Sequence, residues 1–158
     1  MEDKMSSNAN TNLPPAPSVE DLIDLKAIQI EPNQCPLSAP LALTLKFTVR
    51  SSTPIKAAFW TLSYEADVSM KRHVIPLLTT APAADLQPGE HVFQQKIDKI
   101  PTEGVKEKYL LQVGMLKLAL RSAAASETEP LVSINMVTQV SKDEKGELIR
   151  NVISPLEE

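Results

Sequence analysis

The sequence predicts an all-β domain, an antiparallel sandwich of about seven or eight strands. Three observations carry this. Apolar and polar residues alternate with a period of two over Leu41–Arg50 and again from Ala58 to Val68. Clusters of Pro, Gly, Ser and Asp recur between the alternating runs, as turns between short strands require. Neither a long helical period nor a repeat competes with them.

The first 20 residues stand apart. MEDKMSSNANTNLPPAPSVE is rich in Ser, Asn, Pro and Ala and poor in large apolar side chains. Such a stretch buries too little surface to offset its ordering entropy, so residues 1–20 are expected to be a disordered tail and 21–156 a single domain. Glu2, Asp3, Glu20, Asp21 and Asp24 face only Lys4 in the first 24 residues. The formal charge of −4 therefore sits there, and the remainder, with 15 basic and 15 acidic side chains, sums to zero. Ser18 and Asp21 read as a capping box for a turn of helix. Leu22-Ile-Asp-Leu25 has the look of a short linear motif but reads more simply as packing of the first strand.

The strands follow in order. Residues 25–30 carry Leu25, Ile28 and Ile30 and suit a kinked edge strand. Pro32, Pro36 and Pro40 bracket a loop that holds Cys35. In 41–50, Leu41, Leu43, Leu45, Phe47 and Val49 form one face. In 56–68, Ala58, Trp60, Leu62, Tyr64, Ala66 and Val68 form the buried face, with Glu65 and Asp67 expected on the wet one. Pro76 demotes 71–78 to an edge strand. The 90–97 run puts Phe93 and Ile97 on one face. Residues 107–120 are expected to be a strand whose apolar parity switches at Gly114, as at a bulge; a helix is the alternative. Val132, Ile134, Met136, Thr138 and Val140 alternate in 131–141. Asp143-Glu-Lys-Gly146 then makes a turn into 147–153, where Leu148, Arg150 and Val152 alternate, so these two strands form a hairpin.

Trp60 in the third strand and Tyr109 near the start of the sixth resemble the core Trp and strand-opening Tyr of immunoglobulin-like sandwiches. Leu111 stands where antibody domains place a Cys. The segment Leu86–Phe93, continuing to Ile100-Pro101, resembles arrestin-like cytosolic sandwiches. The resemblance is to a superfamily (immunoglobulin-like, of arrestin-like or E-set type) and implies architecture. Members of this group are mostly binders, and some, like the Rho dissociation inhibitors, hold a lipid between their sheets. Function does not follow from fold alone.

The chemistry the sequence offers is sparse. One Cys excludes a disulfide framework and a Cys-based zinc site, and agrees with a cytoplasmic location. The start lacks a secretory signal and the glycine that myristoylation needs. No apolar run reaches the length of a membrane span. No phosphate-binding glycine motif occurs, and His73 and His91 are the only histidines. We therefore expect no catalytic, cofactor or metal residues, and no cofactor. Glu65 and Asp67 share a face, which suits solvation better than a cation. Lys71, Arg72 and His73 form the sharpest basic cluster, a candidate anion or acidic-peptide patch. Lysines at 96, 99, 106 and 108 are largely cancelled by interleaved acids, and without aromatic interleaving nucleic acid is not expected.

Two functional readings remain beside an enzyme, which is disfavoured. The first is a non-catalytic protein-interaction or scaffold module, binding a partner through a sheet edge such as 71–78 or an exposed face. The second is a carrier of a lipid or prenyl group, with Leu110, Met115, Leu116, Leu118 and Leu120 lining an apolar slot between the sheets.

Overall fold

The structure is a computed structural model and describes residues 22–124 and 130–155. The expected tail and the Ser18–Asp21 capping box lie outside the described residues. The described chain is an all-β sandwich. Its strands are β1 (Ile23–Glu31), β2 (Cys35–Pro36), β3 (Leu41–Val49), β4 (Ile55–Ala66), β5 (His73–Thr79), β6 (Ala84–Leu86), β7 (Gly89–Ile97), β8 (Gly114–Ser122), β9 (Val132–Lys142) and β10 (Leu148–Val152). One four-residue helical turn, α1 (Glu107–Leu110), precedes β8.

The strands form two antiparallel sheets. The smaller runs β1-β3-β7; the larger runs β2-β10-β9-β8-β4-β5, with β6 pairing the start of β4. Period-two sequence becomes two inward faces. From the small sheet, Leu41, Leu43, Leu45, Phe47 and Val49 are all buried. From the large sheet come Trp60, Leu62, Tyr64, Leu116, Leu118, Leu120, Ile134 and Met136. They meet in one core, where the Phe47 ring sits edge-on to Trp60 at 5.6 Å. Thr138, fully buried, satisfies its hydroxyl by donating to the Met136 carbonyl at 3.2 Å. The β9–β10 hairpin closes as expected: Asp143 Oδ1 accepts from the Lys145 and Glu147 N–H groups, and Gly146 takes φ +82°. Leu22-Ile-Asp-Leu25 mostly belongs to β1, with Ile23 fully buried.

Three expectations change. Residues 107–120 are not one strand: 107–110 is helical, and β8 starts at Gly114. The parity switch is thus a change of element, not a bulge. Tyr109 accordingly lies in the helical turn rather than opening a strand. Glu65 and Asp67 are buried, at 7% and 3% exposure: Glu65 lies inside β4 with Arg72 and Lys117 against its carboxylate, and Asp67 turns the corner at φ +53°, where β4 has ended at Ala66 instead of running on to Val68. Finally, the connections hold two strands too short to announce themselves, β2 and β6.

Candidate functional site

The four outermost strands differ in how open they are. β1 is broken by a register shift between Leu25 and Ala27 where it pairs β3. β2 is two residues long. β5 carries Pro76 and faces a register shift in β4 between Leu62 and Ser63. A proline, a bulge and shortness each blunt an edge against further pairing. β7 has none of these. It pairs β3 at nine successive positions, Gly89↔Val49 to Ile97↔Leu41, without a shift, and among the described residues no strand lies on its other side.

The side chains of β7 divide cleanly. Glu90, Val92, Gln94 and Lys96 point to solvent, Val92 at 60% exposure. His91, Phe93, Gln95 and Ile97 turn inward. His91 stacks on Phe47 at 5.5 Å and its Nε2 lies 2.6 Å from the Gln87 carbonyl. Phe93 stacks on Trp60 at 5.0 Å yet stays only half-buried. An aromatic run, His91–Phe47–Trp60–Phe93, therefore braces the strand from within and ends at the open flank. The edge is regular and, among the described residues, unpaired on its outer side.

The basic cluster is placed differently from the expected strand. Lys71 and Arg72 occupy the corner between β4 and β5, and His73 begins β5. Asp67 organises this corner: with φ +53°, it accepts the Lys71 N–H on Oδ2 at 3.2 Å and the Arg72 N–H on its carbonyl at 2.8 Å. Arg72 lies 3.8 Å from Glu65, which also meets Lys117 at 3.5 Å. His73 packs its ring on Tyr109 at 4.6 Å, with Nε2 buried and lacking a partner. Within the cluster it is Arg72 that is drawn to Glu65. Among the described residues no group of three or more His, Cys, Asp or Glu is arranged to hold a metal ion.

The expected apolar row is split. Leu116, Leu118 and Leu120, at 1%, 0% and 0% exposure, pack in the core, and Leu110 is buried beside them from α1. Met115 lies on the opposite face of β8, only half-buried. The structure brings four of these five residues into one packed cluster.

Sequence reasoning missed Arg150. Its side chain is fully buried. Nη1 donates to the carbonyls of Leu37 (2.9 Å) and Ala39 (2.8 Å), and Nη2 to those of Pro32 (3.1 Å) and Pro40 (2.9 Å). Loss of water lowers its affinity for the proton, while neighbouring Cys35 and Tyr64 pull the other way. The signal lay in the sequence as an Arg on the inward parity of β10, between Leu148 and Val152. A second fixture is Asp85 of β6, whose carboxyl accepts the Ala57 N–H at 2.9 Å and pairs with Lys56 at 3.2 Å. The Ala57 hydrogen bond, then Lys56, holds that carboxyl below the usual carboxylate range.

No family model matches the chain, and no curated protein matches it. Among solved structures it resembles part of a Bacteroides uniformis β-glucuronidase, with TM-score 0.45 and 12% identity over 84% of this chain. A β-glucuronidase 2 of that species, covalently bound to cyclophellitol-6-carboxylate aziridine, gives TM-score 0.44, 12% identity and 84% coverage. A protein titled as a β-galactosidase of Bacteroides fragilis gives 0.42, 13% and 76%. This chain spans only 15%, 15% and 16% of their respective lengths. Likeness at that level carries no argument about activity.

Proposed function

We propose that the chain is a non-catalytic protein-interaction module that takes up an extended segment along β7. The supporting observation is the unshifted nine-position pairing of β7 with β3, beside an edge that, among the described residues, no strand covers and no proline, bulge or shortness interrupts. Strand addition of this kind draws affinity from main-chain hydrogen bonds and selectivity from alternate side chains. On β7 the alternate positions are Glu90, Val92, Gln94 and Lys96. The carrier reading has less support, because the inward leucines of β8 are already packed. The immunoglobulin-like type of the sandwich belongs to the same proposal; Trp60 at the centre of the core supports it, and the helical position of Tyr109 does not. So does a reducing, cytoplasmic location, which rests on the single unpaired Cys35.

The test is selection of binding peptides from a random library, followed by mapping of amide chemical shifts on the labelled protein. Shifts concentrated on residues 89–97, and loss of binding in Val92→Pro, are expected. Shifts concentrated elsewhere overturn the reading.

A further inference from the structure

The geometry points to a second copy of this chain as the partner of β7, the two strands joining antiparallel about a two-fold axis through Phe93. This rests on the reading of β7 as an accepting edge. Its argument is the order of side chains along that strand. Glu90 and Lys96 lie three residues either side of Phe93, and among the described residues neither makes an ion pair.

Setting Phe93 opposite its own copy fixes every other pairing. Glu90 comes opposite Lys96, Val92 opposite Gln94, and His91 opposite Gln95, each twice by symmetry. Directly opposed, oppositely charged side chains stabilise an antiparallel pair, and like charges destabilise it. Slipping the register by two residues puts Glu90 opposite Gln94 or beyond Lys96 and loses both charge pairs. The strand is thus complementary to itself in one antiparallel register, which is the property an isologous interface requires.

The inner row fits the same axis. Phe93, half-buried at the end of the aromatic run, would meet Phe93 of the other copy and close the flank. Joining also pairs the open main-chain groups of both edges. The small three-stranded sheets would become one six-stranded sheet with β7 at its centre.

Charge exchange on the full-length chain tests this. Sedimentation velocity across a concentration series, from low micromolar to submillimolar, should give the mass of two chains at the upper end. Glu90→Lys sets Lys against Lys96 twice, and Lys96→Glu sets Glu against Glu90 twice. Each alone should weaken self-association about ten-fold or more. An equimolar mixture of the two variants should restore it, because each Lys then faces a Glu. Both positions are exposed, and circular dichroism checks that folding is intact. A wild-type chain that sediments singly at every concentration overturns the proposal. So does a dimer indifferent to both exchanges, which would lie on another surface. Neither result touches the acceptance of a foreign strand, which the peptide mapping decides separately.

Discussion

Gly114 lies against the phenol of Tyr64: a side-chain carbon at 114 would overlap the Tyr64 hydroxyl and stand 2.6 Å from Cζ. Tyr64 belongs to β4 and Gly114 to the first position of β8, its neighbour, so the two strands converge where the ring needs room. Gly114→Ala should cost about 2 kcal/mol or more, as overpacking does in a dense interior. Urea denaturation measures it. Combined with Tyr64→Phe, which removes the nearest atom, part of that cost should return. Additive effects would show that the two residues do not meet.

Tyr64 alone makes a second expectation. Its hydroxyl is buried without a hydrogen-bond partner. Tyr64→Phe should therefore stabilise the fold, by about 1 kcal/mol. A clear loss of stability would mean that the hydroxyl has a partner after all.

The same hydroxyl predicts an alkaline limit. Burial pushes the Tyr64 pKa up from 10.0 to about 12, with Arg150 opposing. The folded chain then holds its proton where the unfolded chain has released it. Stability from this group is complete below pH 10 and is lost progressively as pH rises toward 12, by about 2–3 kcal/mol in all. Wild type should show this slope in denaturation at successive pH values. Tyr64→Phe should show a shallower one; an identical slope would assign the loss to other groups.

Arg150 should tolerate neither neighbour in size. Arg150→Met leaves the carbonyls of Pro32, Leu37, Ala39 and Pro40 without their donor, and should cost about 3 kcal/mol or more. Arg150→Lys keeps the charge but supplies a compact ammonium with three donors, so it should recover only part. Melting temperatures rank the two variants, and a lysine variant equal to wild type would dismiss the four-carbonyl clamp.

Trp60 joins the two sheets through Phe47 and Phe93. Trp60→Ala should cost about 3–5 kcal/mol. A melting temperature within a few degrees of wild type would remove Trp60 from the centre of the core.

The long strands were legible because half of each faces the core, and burial imposes period two on residues such as Leu41 to Val49. Nothing comparable marks Cys35–Pro36 or Ala84–Leu86, each too short to show a period. Gly114 was noticed, but its cause lay in Tyr64, fifty residues earlier in the chain. Asp67 read as wet because alternation was extended past Ala66, where a corner takes over, and Glu65 because the Arg72 and Lys117 side chains that cover its face come from other elements. Arg150 was placed in the alternating set with Leu148 and Val152, but nothing near it in sequence announces the four backbone carbonyls, more than a hundred residues earlier, that let an arginine be buried there. The openness of β7 is a matter of sheet order, and no residue within 89–97 announces that a neighbour is absent.

The Arg150 clamp also sets a schedule. Its four acceptors precede it by 110 to 118 residues. They lie in the crossing from β1 to β3, whereas Arg150 belongs to β10. During synthesis, therefore, the β1–β3 crossing emerges well before β10, and its four carbonyls stay unclaimed by Arg150 until that strand follows. A truncated chain lacking β10 is not a smaller version of this domain but one whose beginning was never fastened.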